Sequence, residues 1–174
     1  MSMAEIHSRA SRFRSRIRTR NLTEYAAAIL VIGLFGWVAW LIPQPVVKAG
    51  AVLIMLAAIY VAYALHRKGG AGKALPDGLH PLADYHRAEL VKHREALATV
   101  WRWYILPFVP GILVFVGGVS FAPDTGLPLT ARLIQFGTSA LFVGGLFAAI
   151  AWLNARAAKQ LDAEIAALDE ARRG

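Results

Sequence analysis

The sequence predicts an all-α integral membrane protein: four helices in two antiparallel transmembrane hairpins, with helical extensions on the cytoplasmic side. Three observations lead there. First, hydrophobic residues make up 57% and charged residues 17% of the 174-residue chain, against roughly 45–50% and 25% in soluble proteins. With a mean hydropathy of +0.48, so small a chain carries more apolar surface than its own core can enclose. Second, four apolar runs (Tyr25–Ile42, Ala49–Leu65, Trp103–Ala122 and Leu133–Leu153) contain no Asp, Glu, Lys, Arg or His. Each is near the roughly 20 residues that a helix needs to cross a hydrocarbon core with its backbone satisfied internally. Third, of the 19 Lys and Arg residues only Lys48 and Arg132 fall in the turns expected between paired runs. The remainder lie in the N-terminal arm, the segment His66–Arg102 and the C-terminal tail, which assigns all three to the cytoplasm.

From these follow the divisions of the chain. Residues 1–22 form a basic amphipathic N-terminal helix and 23–66 the first hairpin, turned at Pro43-Gln-Pro-Val-Val-Lys48. Residues 67–81 are a flexible cytoplasmic linker, and 82–102 a cytoplasmic helix leading into the third span. The second hairpin takes 103–153, turned at Pro123-Asp-Thr-Gly-Leu-Pro128, and 154–174 form a C-terminal cytoplasmic helix. The first run reads as an uncleaved anchor, because its apolar stretch exceeds that of a signal peptide.

Local signals refine each element. Ser2-Met-Ala-Glu5 and Asn21-Leu-Thr-Glu24 both have the cap-x-x-Glu form, so two successive helices are expected at the N-terminus. In the first, Ile6, Ala10, Phe13 and Ile17 share a face while Arg9, Arg12, Arg14, Arg16, Arg18 and Arg20 cover the rest. That pattern suits a helix lying on anionic headgroups or docking a protein partner; a nucleic-acid partner is not expected, since no nucleic-acid-binding motif accompanies the charge. Lys68-Gly-Gly-Ala-Gly-Lys73 lacks the ending of a phosphate loop and reads as a linker. The helix after Pro81 meets no breaker before Pro107, so it should run into the third span, with Pro107 and Pro110 kinking it near the cytoplasmic end. Leu161, Ile165 and Leu168 in the tail, and Leu82, Leu90, Leu97 and Val100 in the central helix, form apolar stripes. These predict that the two extensions pack together or on a partner.

The chemistry-bearing residues are sparse. His86-x-x-Glu89-x-x-x-His93 places three possible metal ligands on one helical face, but metal-binding bundles use such sets in facing pairs, and no metal or other cofactor is expected. With no cysteine, thiol and iron–sulfur chemistry are excluded, and none of the five histidines lies inside a span to ligate a membrane haem. Small four-span multidrug exporters resemble the chain in span count but rely on an intramembrane glutamate that it lacks; quinone-linked disulfide enzymes need the missing cysteines. Small residues at four-residue spacing, Ala58 with Ala62 and Ala140 with Gly144 and Ala148 beside Gly137, invite close helix packing, within the chain or with another subunit.

The expected function is therefore a non-enzymatic accessory, scaffold or regulatory subunit for a membrane or cytoplasmic partner, with membrane lipids around it and a homo-oligomer allowed. The alternatives are a small transporter or channel for a neutral or apolar solute, and a membrane enzyme with a metal on the cytoplasmic helix. The layout resembles that of many small multi-pass proteins of the bacterial inner membrane, both termini inside.

Overall fold

A computed structural model describes the backbone of residues 3–69, 79–123 and 126–171, and the side chains of residues 19, 21–67, 84–123 and 126–170. Every regular element among the described residues is helical. In order they are α1 (Met3–Leu41), α2 (Pro45–Gly69), α3 (Leu79–Ala98), a π-helical turn (Trp101–Ile105), α4 (Phe108–Ser120) and α5 (Leu129–Ala171).

The first departure from expectation is at the N-terminus, where one 39-residue helix replaces the two that the capping signals predict. Its sequence has no glycine or proline before Gly33 to stop it. Within the second capping sequence the Thr23 hydroxyl donates to the Thr19 carbonyl at 3.1 Å, the back-bond of a mid-helix residue, and Glu24 accepts from Tyr104. The basic arm is thus collinear with the apolar stretch that follows, not a separate helix free to lie across its end. At 1.5 Å per residue, residues 3–20 extend about 27 Å beyond that stretch.

Three helical segments, Asn21–Leu41, Pro45–Arg67 and Leu129–Glu170, are long and apolar enough to cross a membrane by length and composition; Phe108–Ser120 is a shorter apolar helix. Helix α2 is central, with α1 and α4 packed on it. The α1–α2 connection is only three residues long, and Pro45 opens α2 where its missing N–H is harmless. Helices α2 and α4 approach through glycine. A Cβ at Gly50 would lie 2.5 Å from the Phe115 Cα, one at Gly111 2.8 Å from the Ile54 backbone nitrogen, and one at Gly118 3.0 Å from the Val47 Cγ2. The two helices are antiparallel and closely seated, and the Phe115 ring carries the contact on to Phe35 of α1, edge-on at 5.2 Å.

Below this interface the chain does not run straight from α3 into α4. A turn at Thr99 is followed by the π-helical turn, in which the Leu106 N–H donates to the Trp101 carbonyl at 2.9 Å. Two prolines explain it: Pro107 and Pro110 supply no N–H, and their rings press on the preceding turn, so the chain widens there. Trp103 spans the irregular stretch, its Nε1 donating to the Ala96 carbonyl at 2.9 Å. It is buried with Val61, Ala64, Leu65 and Val100 against Tyr25, Tyr104 and Phe108.

Helix α5 is a single rod of 43 residues, about 64 Å long. It begins after Gly126 at φ 60°, where the Arg132 Nε donates to the Leu127 carbonyl at 2.9 Å. Its apolar part touches α4 sparsely, as in the Phe121–Phe136 ring contact at 5.8 Å. Leu141 and Phe142 are 78% and 75% exposed. Its C-terminal part packs extensively on α3. The glycine-rich stretch of the expected linker falls largely in residues 70–78, outside the described residues, and Pro81 lies in the first turn of α3.

Candidate functional site

Beyond the apolar layer, α3 and the end of α5 form an antiparallel helical head, as the apolar stripes predict. Leu90 and Leu97 of α3 and Ala158 and Leu168 of α5 are buried. Two forks fix the register. Arg87 donates to Asp169 through Nε at 2.7 Å and Nη2 at 2.9 Å, and Arg94 to Asp162 through Nε at 2.8 Å and Nη2 at 3.4 Å. The Arg87 guanidinium is held above its already high ordinary value, first by the hydrogen bonds to Asp169, then by that carboxylate's charge. Desolvation opposes the shift and Asp84 adds to it. Because the value is raised from one already far above neutral, the guanidinium stays charged and its side of the pair is intact through the whole working range. These partly exposed bridges contribute more to alignment than to energy.

The three possible metal ligands lie on the same helix. His86, Glu89 and His93 are 3%, 8% and 7% exposed, so their shared face is an inner face of the head. It does not gather ligands: among the described residues no group of three or more His, Cys, Asp or Glu is arranged to hold a metal ion. The reason is geometric, since residues seven apart on one helix are separated by about 10 Å along the axis. The sequence spacing correctly put them on one face, but it carried no information about a facing donor.

The small residues divide. Ala58 is buried beside the α2 interfaces, at 1% exposure, and Ala62 is half-buried. On α5, a Cβ added at Gly137 or Gly144 would meet nothing within 4 Å; Ala148 is exposed and Ala140 half-buried. That face of α5 makes no close helix contact within the described chain. The close contacts belong to Gly50, Gly111 and Gly118, which the sequence reading missed although Gly111 and Gly118 recur at two-turn spacing. The side chains of Arg12, Arg14, Arg16, Arg18 and Arg20 lie outside the described residues.

Arginines lie on aromatic rings at the junction of the apolar layer and the head. Arg67 lies over the Tyr63 ring, Arg102 over Trp101 and Arg156 over Trp152, at 5.9, 5.6 and 5.8 Å from the centroids. The helix pairings bring these three sites to a common level. The α2–α4 contacts carry Tyr63 to the π-helical turn, and the Arg–Asp forks carry Trp152 to the same turn. Beside them Tyr104 donates to Glu24 at 2.9 Å, tying α1 in, and the Tyr25 hydroxyl meets His66 Nδ1 at 3.4 Å. At the opposite end an open apolar cleft of 340 Å³ is lined by Gln44, Val46, Gly117, Gly118 and Phe121 among others. Compared with known proteins, the chain matches no family model, no curated protein and no solved structure.

Proposed function

We propose that this is a non-enzymatic four-span protein of the bacterial inner membrane, with both termini and the 67–81 segment in the cytoplasm. Its helical head serves as a scaffold or regulatory module for a membrane or cytoplasmic protein partner. The observation that carries the reading is continuity. Helices α1 and α5 run without a break from an apolar, outwardly exposed layer into the polar segments beyond it, and α3 and α5 are locked there by two Arg–Asp forks. A rigid head fixed to its anchors suits transmission or display of a surface better than catalysis. The third span is then the π-helical turn together with α4. Residues 103–120, at about 1.5 Å each, cover about 27 Å, close to the roughly 30 Å of a hydrocarbon core.

The transport reading finds less support. A solute path between the hairpins would have to pass α2 and α4, which the glycine contacts bring together, and the cleft at the turn end is a surface feature beside that seam. For the enzyme reading, no ligand set is gathered among the described residues. The test is co-purification of the full chain from membranes in mild detergent. A stoichiometric protein partner retained by the wild type, and lost when exposed head residues Lys92, Glu95 and Glu164 are reversed in charge, is expected. A chain that always emerges alone contradicts the proposal.

A further inference from the structure

The arginines with described side chains sort into two kinds. Arg87 and Arg94 are taken by aspartates, and Arg132 by a loop carbonyl. Arg67, Arg102 and Arg156 pair with no carboxylate among the described residues and lie instead on aromatic faces, Arg67 also reaching the Tyr63 hydroxyl at 3.5 Å. Their rings are exposed, Tyr63 by 57%, Trp101 by 53% and Trp152 by 60%. On the apolar side of each ring comes exposed greasy surface, Ile59 and Tyr60 on α2, Leu106 after the π-helical turn and Leu146 on α5. On the other side comes the head.

We infer that Arg67, Arg102 and Arg156 form a girdle that selects anionic phospholipids of the cytoplasmic leaflet; the inference rests on the membrane reading above. A guanidinium held against a ring keeps an edge of N–H donors outward, a fork that matches two phosphate oxygens. The ring beneath it prefers the headgroup level, where one face is apolar and the other wet. Charge complementarity names the occupant: three unneutralised cations on three different elements, at one level, meet the anionic surface of that leaflet. The continuity of α1 sharpens the assignment, because it carries much of the N-terminal arm away from the bilayer and leaves the girdle at headgroup depth.

The test uses intrinsic tryptophan fluorescence of the full chain in vesicles of phosphatidylcholine and phosphatidylglycerol, one lipid brominated on its chains at a time. Trp37 and Trp40, at the far end and 60% and 83% exposed, report insertion, since brominated phosphatidylcholine quenches them in any inserted chain. Brominated phosphatidylglycerol should quench beyond its share of the mixture, with an anionic preference of about fivefold at the girdle. The variant R67Q/R102Q/R156Q, with helicity checked by circular dichroism, should lose that preference, and K92Q/K159Q, which removes exposed charge from the head, should keep it. R67K/R102K/R156K retains charge without the ring-held fork and should keep only part. A preference that survives in the glutamine variant, is fully kept by the lysine variant, or is absent from the wild type overturns the girdle. Absence of quenching by either lipid overturns the membrane reading itself.

Discussion

Replacing Gly50 by alanine probes the seam that holds the two hairpins together. The added Cβ would sit 2.5 Å from the Phe115 Cα, so backbone must move by about 1 Å to reach an ordinary carbon–carbon contact. A flexible side chain could yield at little cost; a helix backbone cannot. Overpacking of this kind costs about 1–3 kcal/mol, and the displacement is passed to the Phe35–Phe115 ring contact on α1. Alanine's better helix propensity returns up to about 1 kcal/mol, which leaves a net loss of about 0–2 kcal/mol, the upper half of that range being expected because the obstacle is backbone. Gly144→Ala gains the same propensity with nothing within 4 Å to obstruct it, so it should be neutral or stabilising by up to about 1 kcal/mol. Reversible unfolding of both variants in mixed micelles of rising dodecyl sulfate content gives the comparison. Equal stability of Gly50→Ala and wild type, or a loss at Gly144→Ala as large as at Gly50→Ala, would refute the assignment of the close contact to α2 and α4.

Other perturbations address the head and its attachment. Asp169→Asn removes the charge that Arg87 grips and should speed hydrogen exchange at the C-terminal end of α5 while leaving α2 amides unchanged; uniform protection would show that the fork does not order the head. Tyr104→Phe and Glu24→Gln, separately and together, form a double-mutant cycle across a part-buried 2.9 Å bond. A coupling of about 1 kcal/mol is expected from unfolding curves, and strictly additive losses would deny α1 its tie to the π-helical turn.

The periodic and compositional features were legible in the sequence: an all-helical chain, its short first turn, the long helix from Leu129 onward, and the pairing of the α3 and α5 stripes. What failed was local. Asn21-Leu-Thr-Glu24 is a sound capping sequence, yet with no breaker nearby the helix gains more by continuing, and Thr23 turns its hydroxyl to Thr19. The π-helical turn precedes its prolines, because proline perturbs the turn before it, so a kink read at Pro107 and Pro110 lies too late. Which glycines face a neighbour depends on rotation about the helix axis and on partner choice. Gly144 and Gly111 look alike in sequence, but only Gly111 meets α2. The girdle was half visible: Trp152 with Arg156 and Tyr63 with Arg67 have helical spacing, while their common level depends on interhelix register.

In the proposed topology of four crossings with both polar ends on one side, the third crossing, built from a short α4 and an irregular turn, is the decisive one. The chain has no cysteine, so single cysteines at Thr19, Gln44, Thr99, Leu127 and Gln160 can be labelled with an impermeant maleimide in oriented membrane vesicles. Gln44→Cys and Leu127→Cys should react from the outer face, and the other three only when the cytoplasmic face is opened. Labelling of Thr99→Cys and Leu127→Cys from the same side, or of Thr19→Cys and Gln160→Cys from opposite sides, would contradict it.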